Sequence, residues 1–516
     1  MPSTHIIESG RNGTPIGETP DLDIVRARLR SALKGDRIVL HFHGGLVPAG
    51  KAKAEAADLG GVYAEAGADA VFFVWHSDAL TIIRNNLDEL ASEALFGGIT
   101  RRILGWAVGR LRASEGGARA TDTTAYVPGE NEISRELDRR FTPGTDEPFD
   151  GEEKRRAQGD EMELTPQEQN DFLFEVENDV ALTNAALAAI KARGMQYNGA
   201  GGRGDPVVAP VPSNIDDEAL SEVAQGELEG ARGLVSTFVL AKKLLVVLKA
   251  VLRRFADQTD HGIYPTVIEE VMREFYVGLI AGAVWNAMKK ETLDTFGDNG
   301  VGMALLDELA TVIAERTAQG RAAPGILLVG HSTGAVFINN LLDAIVRDTG
   351  SGRTRWPADL RFDVALLAPA CTYLAFARTA VSAKDLFGSF RMFTMTDEYE
   401  CKDRLFKSVY PRSLLYLVSG ALERAGTDSR HVPVLGQSRY LADARSIRRF
   451  LASDVARDNR IDEVRRFMAE KGRTAFSITV VGSPSGWQAS AIHHGEFPED
   501  SDVRASLQVM IRGLRS

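Results

Sequence analysis

The chain has 516 residues, 44% of them hydrophobic and 25% charged, a composition typical of a globular protein with a sizeable core. Its formal net charge is -11 and no basic stripe runs along it, so the sequence argues against a nucleic-acid partner. The two cysteines, Cys371 and Cys401, have neither metal-binding nor disulfide-framework spacing, which favours a reducing, cytoplasmic location. We expect neither a signal peptide nor a membrane-spanning segment.

The N-terminal part of the chain, 1–34, is predicted to form a loose leader and one short helix from Asp21 to Leu33. Apolar runs at 38–42 and 70–75 then flank an alanine-rich helix at 51–67. Strand, helix and strand in this order predict a parallel sheet with a right-handed crossover.

The segment 81–299 is predicted to be a mainly helical insertion, or cap, with a polar loop near 114–165. Helices are expected at 81–111, 167–193, 234–255 and 263–290. The second of them should be capped by Thr165, with Pro166 at its first position. The glycine-rich stretch that follows it is assigned to a linker rather than to a phosphate-binding loop, because no strand precedes it.

The helix at 234–255 has its basic residues on one arc and its aliphatic residues mostly elsewhere. The basic residues are Lys242, Lys243, Lys249, Arg253 and Arg254. Two interpretations stay open at this point. The helix packs on the protein and exposes a solvated basic face, or it is a lid or a membrane-surface helix.

Six continuous apolar runs are predicted strands, at 38–42, 70–75, 326–330, 363–368, 390–395 and 476–482. Continuous rather than alternating hydrophobicity is typical of strands buried on both faces. We therefore predict an α/β fold with a mostly parallel, doubly wound sheet formed by 35–80 and 300–516. In such a sheet, sites lie at the carboxyl ends of the strands.

The stretch Gly330-His331-Ser332-Thr333-Gly334 follows one of these strands and is followed at once by a helical pattern. A serine at such a sharp strand-to-helix turn is forced outwards on a strained backbone, and glycines on both sides relieve the crowding. Ser332 is therefore a candidate nucleophile. The alternative is a plain connection between strand and helix.

Nine histidines compete for the role of general base that a serine nucleophile requires. His494 lies in the loop after the last predicted strand, and His493 is the alternative beside it. We expect His331 to be a packing residue of the turn and His43 to brace the turn after the first strand. A zinc site of His41, His43, His493 and His494 is conceivable, but their spacing matches no recognisable ligand pattern.

The acid that orients such a histidine should follow a strand as well. Asp397 comes directly after the strand at 390–395, and Glu400 and Asp403 follow within one turn. Each of the three is alternatively a helix cap or a solvated charge.

The order serine, acid, histidine and the glycine-flanked turn resemble the α/β-hydrolase superfamily. His43-Gly44-Gly45-Leu46 is similar to the oxyanion turn of its esterases and lipases, although the third consecutive glycine is missing. The resemblance covers 35–80, 300–400 and 475–500, and the insertion is longer than the superfamily's usual crossover. It implies Ser332 as nucleophile, His494 as base and Asp397 as acid. The oxyanion donors would be the amides of Thr333 and of Gly45 or Leu46, with neither metal nor cofactor.

The expected function is that of a serine hydrolase that cleaves a carboxylic ester, or a related acyl bond, through an acyl-enzyme. The apolar helices of the insertion would cover the carboxyl edge of the sheet and line a hydrophobic substrate pocket. Three alternatives stay open: a peptidase or amidase on the same fold, a lipase-like effector that contacts a membrane surface through 234–255, and a non-catalytic scaffold.

Overall fold

The structure is a computed structural model. It describes residues 2–18, 20–45, 47–75, 79–113, 162–198, 237–276, 281–350, 355–404, 410–424, 431–470, 474–479 and 481–515. The predicted polar loop therefore lies almost wholly outside the described residues, as do Leu46 and most of the glycine-rich linker.

Seven parallel strands form one sheet in the order β1-β3-β2-β4-β5-β6-β7. The strands are β1 (Thr4–Ser9), β2 (Arg37–Phe42), β3 (Asp69–Trp75), β4 (Gly325–His331), β5 (Phe362–Leu367), β6 (Phe387–Met395) and β7 (Thr474–Ser477). The α/β class with a parallel sheet is therefore as predicted.

One strand was not predicted. Residues 4–9, assigned from the sequence to a loose leader, form the edge strand β1 beside β3, where Ile7 is buried in register with Phe73. Its apolar stretch is too short to stand out by pattern. Its extended shape depends on hydrogen bonds to a strand more than 60 residues away in sequence.

The helices outside the insertion are α1 (Leu22–Leu33), α2 (Ala49–Glu65), α10 (Val301–Ala318), α11 (Gly334–Gly350), α12 (Tyr373–Ser382), α13 (Asp397–Lys402), α14 (Leu414–Leu417, continued by a π-helical turn Val418–Leu422), α15 (Arg448–Ala452), α16 (Asp454–Asp458), α17 (Ile461–Ala469) and α18 (Ser501–Arg512). The insertion contributes α3 (Ala79–Ser92), α4 (Ala94–Ala113), α5 (Pro166–Glu177), α6 (Val180–Asn198), α7 (Thr237–Ala256), α8 (Ile263–Phe275) and α9 (Ala281–Asp294).

Both faces of the sheet are buried, which explains the continuous apolar runs. In β2, Val39 joins the core on one face, whereas Ile38 and Leu40 join the core on the other. The first core also contains α2, α18 and side chains from all seven insertion helices. The second contains α1, α10, α11 and α12. The insertion therefore thickens one face of the sheet instead of only covering its carboxyl edge.

The described part of the insertion is mainly helical, but three predicted long helices are each divided in two. The second division lies where Asp179 accepts a hydrogen bond from the Leu182 amide at 3.0 Å and so caps the next helix. The predicted start of α5 is confirmed, since Thr165 and Glu168 form a reciprocal capping box with a proline at the first position.

The basic helix α7 is a packed helix. Its apolar side lies against α4, α5 and α8. Arg254, predicted on the basic arc, is instead buried, with its guanidinium 2.6 Å from a Glu269 oxygen. Lys242, Lys249 and Arg253 stay exposed on the outer side. None of the described helices combines the length and apolarity needed to cross a membrane.

The strand order reverses between β2 and β4, which makes a topological switch point there. Strands β2 and β4 are neighbours, but α2 leaves β2 towards one face and α11 leaves β4 towards the other. A crevice opens at the carboxyl ends of strands where the connections diverge in this way. The turns 43–45 and 332–334 both lie there.

Candidate active site

Ser332 stands at the apex of the turn between β4 and α11 in a strained backbone conformation, with φ at +53°. A non-glycine residue there costs on the order of 1–3 kcal/mol, and surrounding contacts have to hold it in place. The Ser332 amide donates to the Leu367 carbonyl at 2.8 Å, and the Ser332 carbonyl accepts from the Ala370 amide at 3.0 Å. Both bonds come from the end of β5, so the neighbouring strand fixes the serine.

The following glycine is required by close packing. A Cβ on Gly334 would lie 2.1 Å from the Phe42 carbonyl oxygen at the end of β2. Any larger residue would push α11 away from β2, and this shift would displace Ser332 as well.

The structure brings Ser332 and His494 together. The distance between Ser332 Oγ and His494 Nε2 is 2.9 Å, which is hydrogen-bond length between residues 162 positions apart. The His494 amide donates to Asp403 Oδ2 at 2.8 Å, and the His494 carbonyl accepts from His331 Nε2 at 3.0 Å. The backbone on both sides of the imidazole is thus held by side chains of other elements.

This pair is shielded from solvent. Ser332 is 2% exposed and His494 is 6% exposed. Burial, together with the smaller effect of the neighbouring His331, lowers the pKa of His494 from its ordinary 6.5 to about 3. His494 Nδ1 is buried and has no hydrogen-bond partner among the described residues. The imidazole is therefore neutral, and no acceptor among the described residues stabilises its protonated form at Nδ1.

The three candidate acids have different surroundings. Asp397, the first choice from the sequence, makes no hydrogen bond to His494. Its carboxylate accepts from the Tyr416 hydroxyl and lies 3.7 Å from Arg439 Nε. Asp403 accepts from the His494 amide and lies 3.0 Å from His493 Nδ1. Asp403 thus holds the backbone of the histidine loop rather than the imidazole of His494.

Glu400 is the most deeply buried of the three. One carboxyl oxygen accepts from the Ser413 hydroxyl, and the other, Oε1, has no hydrogen-bond partner among the described residues. Burial raises the pKa of Glu400 well above its ordinary value, and the negative charge of Asp403 raises it further. Two buried polar atoms, His494 Nδ1 and Glu400 Oε1, therefore have no hydrogen-bond partner among the described residues. The segments that carry them are joined by the hydrogen bond from the His494 amide to Asp403.

The predicted oxyanion turn at Gly45 lies against the strand-to-helix turn 330–334, which we call the elbow. The Gly45 amide donates to Thr333 Oγ1 at 3.2 Å. A Cβ on Gly45 would lie 2.8 Å from Thr333 Oγ1 and 3.1 Å from Met288 Sδ, so only glycine fits. The turn and the Thr333 amide are thus adjacent, with Met288 of α9 over them. Leu46 lies outside the described residues.

His41 of β2 and His43 in the turn after it make packing contacts. His43 Nε2 accepts from the Trp75 amide at 3.0 Å, and its ring stacks on the Trp75 ring with centroids 4.2 Å apart. His41 Nδ1 lies 2.9 Å from the Tyr63 hydroxyl. Within the described ranges, no group of three or more His, Cys, Asp or Glu side chains is arranged to hold a metal ion.

Three contributions were not foreseen from the sequence. Asp403 binds the His494 amide, His331 binds the His494 carbonyl, and Met288 covers the turn. The first two lie beside motifs that the sequence singled out. Met288 carries no motif at all, and its place depends on how α9 packs.

Comparison with known proteins gives no relative: no protein-family model, no curated protein and no solved structure matches this chain.

Proposed function

We propose that this chain is a serine hydrolase that cleaves a carboxylic ester, or a related acyl bond, through an acyl-enzyme. The observation that carries the proposal is the 2.9 Å pairing of a strained serine with a histidine at the crevice between β2 and β4. Strain at a buried serine costs free energy, and such strain clusters at functional sites. A neutral imidazole in contact with the hydroxyl is what activation of that serine requires.

The proposed reaction has two halves. Ser332 Oγ attacks the acyl carbon while its proton passes to His494 Nε2. The Thr333 amide, together with the amide of Gly45 or Leu46, donates to the resulting oxyanion. The tetrahedral intermediate collapses, and the leaving alcohol takes the proton from His494. Water then attacks the acyl-serine with His494 again as base, which releases the acid and restores the serine.

We assign the third position of the triad to Glu400 rather than Asp397. An imidazole that accepts at Nε2 carries its proton at Nδ1, and this donor is buried without an acceptor. Leaving a buried donor unsatisfied costs about 1–3 kcal/mol. Glu400 Oε1 is buried without a donor, in the turn that precedes Asp403, the residue that binds the His494 amide. Pairing the two atoms would satisfy both and stabilise the imidazolium.

The substrate is proposed to be an apolar ester, because the covering side chain is Met288 and the core around it is apolar. Neither a metal nor a cofactor has a part in these steps. The two cysteines form no disulfide, which agrees with the proposed cytoplasmic location.

The test is covalent labelling with a fluorophosphonate, which reacts with activated serines. Wild-type protein should be labelled, and Ser332→Ala should not. The control is Ser9→Ala, which removes another buried hydroxyl on the edge strand β1, away from Ser332. Hydrolysis of p-nitrophenyl esters and of peptide amides, measured in parallel, separates an esterase from a peptidase or amidase.

A non-catalytic scaffold is the second candidate, and one observation favours it. Ser332 and His494 are almost fully buried, and the imidazole lacks an acceptor at Nδ1. A chain that has kept the fold but lost its activity would have these features. Wild-type protein that stays unlabelled after prolonged exposure to fluorophosphonates of several sizes would favour this candidate.

A further inference from the structure

The helix α9 is a surface helix that rests on the candidate active site. Its buried side chains, Trp285, Met288 and Thr292, recur at helical spacing, whereas Ala287 and Lys290 are exposed. It packs against α3 and against α11, the helix that begins at the elbow. Thus α9 has one buried face, and that face lies on the element that carries the nucleophile.

Met288 lies beside the turn whose amides would bind a substrate carbonyl. Its sulfur would lie 3.1 Å from a Cβ on Gly45, beside Thr333. The oxyanion of an acyl intermediate forms within hydrogen-bond reach of these backbone amides. Ser332 is itself only 2% exposed, and Met288 is the side chain of α9 that lies beside this turn.

One carboxylate holds α9 in this position. Glu423, at the end of the π-helical turn, accepts from Trp285 Nε1 at 2.7 Å and from Lys289 Nζ at 2.7 Å. The two donors are four residues apart on α9 and flank Met288. Glu423 is itself fixed, because Arg273 of α8 donates to its backbone carbonyl at 2.9 Å.

The two bonds differ in their access to water. Trp285 is fully buried, whereas the Lys289 side chain is 28% exposed. Breaking the bond to Lys289 leaves an ammonium that water can solvate, so this half of the contact is the easier one to open. A second tie, from Asn340 Nδ2 of α11 to Thr292 Oγ1 at 3.1 Å, lies at the far end of the helix.

We propose that α9 is a gate over Ser332 and that Glu423 is the latch that holds the gate closed. The consequence for catalysis rests on the proposed hydrolase function, but the latch itself does not. Opening moves the 285–289 part of α9 away from the 44–45 turn and exposes the serine. The closed state excludes water and small nucleophiles from Ser332 and His494.

Two adjacent lysines provide a matched test. Lys289→Met removes the solvated half of the latch, whereas Lys290→Met removes an exposed lysine that pairs with Asp294 on the same helix. Loss of one charge-assisted hydrogen bond should raise the opening equilibrium roughly tenfold in Lys289→Met. Hydrogen–deuterium exchange of the 284–294 amides and the rate of fluorophosphonate labelling should both rise in this variant and not in the control.

Glu423→Gln provides a second perturbation, because glutamine still accepts from Trp285 but carries no charge for Lys289. It should shift both measurements in the same direction as Lys289→Met. Exchange that is equal in wild type and all variants would overturn the latch. A third outcome is that Lys289→Met exchanges faster but that neither wild type nor any variant is labelled by the fluorophosphonate. This result would support the latch and refute the hydrolase function.

Discussion

The assignment of Glu400 leads to a quantitative prediction. Glu400→Gln keeps the size of the side chain and its ability to accept from Ser413, but it removes the ability to carry a negative charge. If Glu400 pairs with His494 during the reaction, the loss of that charge should slow acylation of Ser332 strongly. If Glu400 is only a buried neutral acid, glutamine should replace it at little cost, because its carboxyl already has a raised pKa.

The size of the effect follows from the burial of His494. Its pKa is lowered from 6.5 to about 3, which corresponds to about 5 kcal/mol of free energy needed to protonate the imidazole in place. A carboxylate at Nδ1 has to offset most of this in the transition state, where the imidazole carries the proton. Without it, acylation should slow by about 10³- to 10⁴-fold.

The assay is the second-order rate of fluorophosphonate labelling at pH 7.5, together with kcat for a p-nitrophenyl ester. Asp397→Asn is the matched control and should change either rate by less than about fivefold, because Asp397 is held by Tyr416 and Arg439. Urea denaturation of both variants separates a catalytic effect from a loss of folded protein. A Glu400→Gln variant that is as fast as wild type, with Asp397→Asn slow, would refute the assignment.

Further outcomes concern stability. Acidification from pH 8 to pH 5 should destabilise the fold by about 2 kcal/mol for each buried neutral imidazole, because the unfolded chain binds the extra protons. Burial raises the pKa of Glu55 to about 7, so protonation of this carboxyl should offset the loss of folding free energy caused by about one imidazole. Urea midpoints at the two pH values measure the net loss of stability. The imidazoles, with pKa values lowered to between about 3 and about 4, are His41, His331 and His494. Gly334→Ala should destabilise by several kcal/mol, because the added Cβ would lie 2.1 Å from a carbonyl oxygen, whereas Gly350→Ala meets no atom within 4 Å and should be neutral or slightly stabilising. Arg254→Met should cost about 3–5 kcal/mol in thermal or urea denaturation, since it leaves Glu269 and Glu270 buried without their cation, and a smaller loss than in Lys242→Met would contradict that reasoning.

The strands were predictable because they carry a local signal. Runs such as Ile326 to Val329 are apolar without alternation, and both faces of the sheet are indeed covered. The elbow was predictable for the same reason, since its two glycines and its serine are adjacent in sequence. The positive φ of Ser332 follows directly from this short stretch.

Other elements depend on partners that are distant in sequence. β1 is a strand because β3 pairs with it, and Arg254 is buried because α8 brings Glu269 and Glu270 to it. Periodicity placed Arg254 on a basic arc, but it could not show which side of the arc the next helix would cover. A helical pattern defines faces, whereas packing decides which of them meet solvent.

The sequence by itself determined the α/β class, the strand-turn-helix around Ser332 and a short set of candidates for a base and an acid. These features rest on backbone conformation and on hydrophobic periodicity, which act over a few residues. Only the tertiary structure decided that His494 rather than His493 lies 2.9 Å from the serine, and that Asp397 lies against Tyr416 and Arg439 instead of the imidazole. It also decided that Met288 lies against the turn at Gly45. Those outcomes depend on distances of a few ångströms between separate elements, and such distances are set by how whole layers pack.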